Sequence, residues 1–172
     1  MTGLVSVIPE SNVLPFLRAF WTTMALHWPL LDVLRMEKFL LLVRGYVRVG
    51  FEWVRDGGWV GERLEGYAQL LGCEDGPLRI KGTVGLMYHV LDVWLDELDR
   101  VDEERSSGLT QQRLDAVMKP VRELADKSRT KSFRERAKEV LADERLKAWG
   151  DGTAEVAKGE ELNEEEWGGI EE

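Results

Sequence analysis

From residue 12 to residue 149 apolar side chains recur three and four positions apart, and no stretch alternates convincingly between apolar and polar. Spacing of three and four collects side chains on one face of a helix, whereas a strand separates neighbours onto opposite faces. The chain is therefore expected to bury its apolar surface by packing helices against helices.

Six helices are predicted. The first starts near a cap at Ser11 or Asn12 and carries Leu14, Leu17, Trp21, Met24 and Trp28, with Pro29 stopping it. The second runs from about Asp32 to Asp56 on a stripe of Phe39, Leu42, Val43, Tyr46, Val49, Trp53 and Val54, and Gly57-Gly58 ends it. A third spans about 59–71, followed by a Gly- and Pro-containing loop at 72–83. The fourth, about 84–104, carries Met87, Leu91, Trp94, Leu95, Leu98 and Val101. The fifth, 111–126, has Thr110 as a cap and Pro120 inside it, where a kink is expected. In the sixth, Ser132 and Glu135 have capping-box spacing. The expected architecture is all-α: stacked antiparallel helix pairs forming a short HEAT-like α-solenoid or an irregular bundle over residues 11–149. Residues 150–172 read as a disordered acidic tail.

Cys73 is the only cysteine, so no internal disulfide can form, which fits a reducing compartment. The run at 39–43 is too short to cross a bilayer, and the first residues lack a signal-peptide pattern. A soluble intracellular protein is expected. The formal net charge of −9 hides an uneven distribution. Residues 159–172 hold seven acids and no base, whereas residues 110–150 carry eleven Lys/Arg against seven Asp/Glu.

Two charged constellations bear on function. On a wheel of about 100° per residue with His89 at zero, Leu91, Trp94, Leu95, Leu98 and Val101 fall between roughly 120° and 240°. Asp92, Asp96, Asp99 and Glu103 fall between roughly 280° and 340°, a separate acidic stripe. A Mg²⁺-dependent helical enzyme would use Asp92, Asp96 and Asp99, but it needs a second acidic helix across a deep cavity, and the sequence offers none. Zinc is poorly served by His27, His89 and one thiol. No phosphate loop, cofactor motif or nucleophile elbow occurs, so no catalytic residue, metal, cofactor or small-molecule substrate is expected. The stripe reads as a solvated or partner-facing surface. Acids crowding the end of this helix oppose its dipole, which a basic partner would offset.

The counterpart is KSRTKSFRERAK, residues 127–138, with six cations and one acid. Lys127, Arg129, Lys131, Arg134, Arg136 and Lys138, with Arg44, Arg48 and Arg55 off the second helix's stripe, are candidate RNA-phosphate contacts. A mixed-charge solvated face is the plain alternative. Asp92, Asp96, Asp99, Glu103 and Trp167, the last in an acidic segment, are candidate protein contacts.

Three stretches carry a resemblance: LRAFWTTMALHWPLLDVLRMEKFLLLVRGYVR (17–48), GLMYHVLDVWLDELDRV (85–101) and PVRELADKSRTKSFRERAKEVL (120–141). Phe20, Trp21, Thr23, Met24 and Trp28, then Asp32, Leu34, Arg35, Lys38, Phe39, Leu42 and Arg44, match the most specific element. His89, Asp92, Trp94, Glu97 and Leu98 match a second. In this order the chain resembles, over about residues 14–149, the eukaryotic ribosomal RNA-processing protein one family of nucleolar large-subunit assembly factors. The resemblance implies an all-helical, non-enzymatic scaffold in the nucleolus. It would support pre-ribosomal RNA processing through contacts with that RNA and with other assembly factors. An α-helical adaptor without RNA contact is the alternative. Family members usually have helices ahead of the Phe20-Trp21 element and often a lysine-rich tail, so a truncated gene model, a partial copy or a form stabilised only inside its particle is expected, with the Trp21 stripe partly uncovered.

Overall fold

The computed structural model describes residues 5, 7–74, 76–79, 83–103 and 108–149. Six helices in this set carry the fold: α1 (Glu10–His27), α2 (Val33–Asp56), α3 (Gly61–Gly72), α4 (Val84–Val101), α5 (Gln111–Lys127) and α6 (Lys131–Leu141). A 3-10 turn, Trp28–Leu30, joins α1 to α2, and residues 145–149 add a last helical turn. No strand occurs among the described residues. The expected tail and Trp167 lie outside them.

Local chemistry explains most boundaries. Pro9, in extended conformation, precedes α1, so the helix opens at Glu10 and neither Ser11 nor Asn12 is its cap. Glu10 instead holds Arg63 of α3 through two hydrogen bonds of 2.7 and 2.8 Å. Asp32 caps α2 by accepting from the Arg35 backbone N–H at 2.9 Å. Gly57 and Gly58 stop α2, Gly58 in the left-handed region at φ 74°, as the glycine pair predicted. Trp59 follows at φ 58°, a costly conformation for a large side chain, and its indole is fully buried. The predicted capping box does not form. Thr130 is the N-cap of α6 without a side-chain bond, and Glu135 pairs with Lys131 at 3.4 Å instead of reaching back.

The closest packing joins α2 to α4, α3 to α5, and α5 to α6. Two of these pairings skip a helix. Contacts between α2 and α4 advance together, from Leu40 with His89, through Arg44 with Asp96, to Arg55 with the Val101 carbonyl. These two helices therefore run in the same sense, as every second helix does when antiparallel helix pairs stack, and the fold is all-α. Trp94, Phe51 and Tyr67 fill its centre with edge-to-face contacts of 5.5 and 5.9 Å. On α2, Val43, Val47, Val49, Phe51, Trp53 and Val54 are buried, so Val47 and Phe51 join residues that periodicity had marked. The Trp21 stripe is not uncovered: Val13, Leu17 and Trp21 are buried where α1 meets α3, and Phe20 stacks on Tyr46 beside them.

Gly50 marks the tightest approach. A Cβ there would lie 2.0 Å from the Tyr67 ring, whose hydroxyl donates to the Val47 carbonyl at 3.3 Å. Only a glycine lets α3 bring that ring onto α2.

Candidate nucleic-acid interface

The acidic stripe of α4 faces arginines from three other parts of the chain. Asp92 accepts from Arg136 of α6, with Arg136 Nε at 3.0 Å and Nη2 closer still. Asp96 lies between Arg44 of α2, at 3.3 Å, and Arg145 of the last helical turn, at 3.0 Å. Arg145 also holds Asp143 at 2.9 Å. The hydrogen bond to Asp92 raises the Arg136 pKa, and the bond to Asp143 does the same for Arg145. The same contact holds the Asp143 carboxyl below its ordinary range.

Glu97 is the residue that the wheel passed over. It falls outside the acidic stripe, on the edge of the core face, and is 0% exposed. Arg44 Nε donates to its Oε1, while Arg48 and Arg100 stand 3.9 Å away. One signal in the sequence pointed to it: an acid at the rim of an apolar face needs a partner when buried. Glu52, one turn after Arg48, is half-buried, and burial raises its carboxyl above the ordinary value against the opposing pull of Arg48.

The candidate cations therefore divide into two sets. Arg44 and Arg48 face Glu97, Arg136 bridges Asp92 and Glu139, and Arg55 bonds Asp56 and the Val101 carbonyl. Arg134 turns back to donate to the Ser128 and Arg129 carbonyls at 2.9 and 3.2 Å, tying the α5–α6 corner. Lys127, Arg129, Lys131 and Lys138 are exposed. Among the described residues, Lys127 and Lys131 pair along their own helices, at 3.3 Å to Glu123 and 3.4 Å to Glu135, and such pairs are weak in water. Lys131 and Lys138 are seven residues apart, two turns, so they share one face of α6.

Of the acidic candidates, Glu103 is exposed and Asp99 half-buried. Asp102 is the C-cap of α4 and buried; its Oδ2 accepts from Trp149 Nε1 at 3.1 Å. That bond accounts for one of the acids at the end of this helix. No three His, Cys, Asp or Glu residues gather to hold a metal ion among the described residues, and Asp92 and Asp96 are turned toward arginines. His89 Nε2 donates to the Leu40 carbonyl at 2.9 Å, which gives it a structural role between α4 and α2. No described helix is long and apolar enough to cross a membrane.

Comparison with known proteins adds a family. The sequence model for the nucleolar protein Nop52 matches residues 1–170. The human protein named Ribosomal RNA processing protein 1 homolog B is 33% identical over 86 residues, covering 50% of this chain and 11% of that protein. Mouse homolog A is 34% identical over 86 residues, 50% of this chain and 17% of its own length. The Caenorhabditis elegans homolog is 28% identical over 123 residues, covering 71% of this chain and 30% of the relative. The chain thus spans well under two thirds of each of these relatives.

Proposed function

Because this chain belongs to the Nop52 family of nucleolar proteins, we propose that it is a non-catalytic assembly factor of the large-ribosomal-subunit precursor. Its role lies in ribosome biogenesis and its compartment is the nucleolus. In this reading the bundle is a rigid scaffold that supports pre-ribosomal RNA processing by holding that RNA and neighbouring assembly factors.

The observation that carries the RNA contact is the division among the cations. Arginines facing α4 are occupied by carboxylates, whereas Lys131 and Lys138 stand exposed on one face of α6 with Arg129 and Lys127 at its entry. Long exposed cations on a rigid helix suit phosphate contact, because little protein charge must be uncovered first. Glu103 and Asp99 at the other end of α4, together with Trp167, are the proposed contacts for protein neighbours.

The test is salt-dependent binding of a labelled polyuridylate and a labelled RNA hairpin. Each phosphate contact contributes about 0.7 to the log–log salt slope on a single strand and about 0.9 on a duplex. Reversing Lys131 and Lys138 to Glu is expected to flatten the slope by roughly two contacts' worth. An unchanged slope removes RNA from this face and leaves the helical adaptor.

A further inference from the structure

Four large apolar side chains at the α1–α2 corner meet solvent: Leu26, Leu30, Val33 and Leu34 are 70, 74, 90 and 91% exposed. They lie between the last turn of α1 and the first turn of α2, and exposed large apolar side chains rimmed by polar ones mark interaction surfaces. Leu26 also lines a groove of about 980 Å³ between the end of α1, the start of α4 and the α5–α6 corner. Met87, Leu124 and Phe133 form its apolar side, and three cations, Arg79, Lys127 and Arg129, stand along its lining against two acids, Glu74 and Glu123. Glu123 is shared by Arg79 at 3.5 Å and Lys127 at 3.3 Å. Arg129 is exposed, with no carboxylate in ion-pair range among the described residues.

A groove with an apolar side and an excess of cations on its rim, joined at Leu26 to an exposed apolar corner, has the chemistry of a helix-receiving cleft. Polyanionic RNA could reach the rim, but its phosphates would leave Leu26, Leu30, Val33 and Leu34 uncovered. A helix that presents leucines or aromatics on one face, with Asp or Glu flanking them, satisfies both parts at once.

We propose that this groove and the adjoining Leu26–Leu34 corner receive an acidic amphipathic helix of a partner protein. Leucine or aromatic side chains of that helix enter beside Leu26, Met87 and Phe133, and its carboxylates meet Arg129, Lys127 and Arg79. The proposal deepens the scaffold reading by naming the chemistry of one neighbour; it shares Lys127 and Arg129 with the entry to the RNA face and leaves Lys131 and Lys138 outside the groove.

The experiment uses the full chain and a labelled designed peptide with Leu at i, i+3, i+4 and i+7 flanked by Glu, beside a scrambled peptide of the same composition. The ordered peptide is expected to bind and the scrambled one not. Leu26→Glu and Arg129→Glu, both at exposed positions, are each expected to weaken binding on the order of tenfold with the circular dichroism unchanged. Leu26→Glu should leave the polyuridylate salt slope as it was, which separates failure of this proposal from failure of the RNA reading. Equal binding of both peptides, or none, overturns the proposal. Displacement of the ordered peptide by polyuridylate from the Lys131→Glu, Lys138→Glu variant would assign the groove itself to RNA and overturn it. So would binding that appears only after Trp167→Ala, which would assign the groove to the chain's own acidic segment.

Discussion

Arg44, on α2, closes on Glu97, a carboxylate of α4 with no exposed surface, across 53 residues of sequence. The second oxygen, Oε2, has no hydrogen-bond partner among the described residues, and Arg48 Nε is 3.9 Å from it. A buried carboxylate is costly unless opposed by a well-placed cation, so Arg44 supports the packing of α2 against α4.

Arg44→Ala is therefore expected to destabilise the fold by about 3 kcal/mol, because it strands a buried charge. Replacing both partners, Arg44→Leu with Glu97→Leu, should cost much less than the sum of the single changes, since the desolvated charge disappears with its partner. Urea unfolding of the two single variants and the double variant checks this. A double variant as unstable as the sum would mean that the pair contributes nothing specific.

Gly50 makes a steric prediction. Gly50→Ala drives a methyl group into the buried Tyr67 ring and is expected to cost roughly 1–3 kcal/mol. Pairing it with Tyr67→Leu should recover part of the loss from Gly50→Ala, because the smaller side chain vacates the contact. Thermal unfolding of the three variants reads the coupling; strict additivity would place the clash elsewhere.

The helices and their apolar faces were legible because periodicity is local: each stripe is written within one helix. Leu91, Trp94, Leu95 and Leu98 are buried as the wheel has them. The destination of the charges was not legible. The acidic stripe and the basic segment looked like two surfaces awaiting two partners, but Asp92 takes Arg136 across 44 residues and Asp96 takes Arg145 across 49. Such pairing depends on helices that skip a neighbour in the packing order, which no local pattern encodes. Glu97 escaped for the same reason. Its acid belongs to the core only because Arg44 arrives from another helix.

Glu52 predicts a pH dependence. Burial raises its carboxyl above the ordinary glutamate value, so the folded state binds its proton more tightly than the unfolded chain does. Its contribution to stability is full below the ordinary glutamate pKa and declines as pH rises through the raised one. Glu52→Gln should remove that decline, making the variant gain on the parent between acid and neutral pH. Denaturant midpoints measured across that range test the sign; a variant that loses ground as pH rises would show that Arg48 and Arg55 outweigh burial.

Arg136 and Lys138 lie two residues apart on α6 and should respond in opposite ways to mutation. Arg136 joins Asp92 and Glu139, with both partners partly exposed, so Arg136→Ala is expected to cost less than about 1 kcal/mol. It should leave the RNA salt slope almost unchanged, because its guanidinium is committed to carboxylates. Lys138 is exposed, so Lys138→Ala should leave stability within about 0.5 kcal/mol and lower the slope by about one contact. Measuring unfolding midpoints and polyuridylate salt slopes on both variants separates a cation that joins two helices from one that meets phosphate. A slope that falls with Arg136→Ala and not with Lys138→Ala would reverse the two roles and move the RNA contact to the α4 side of α6.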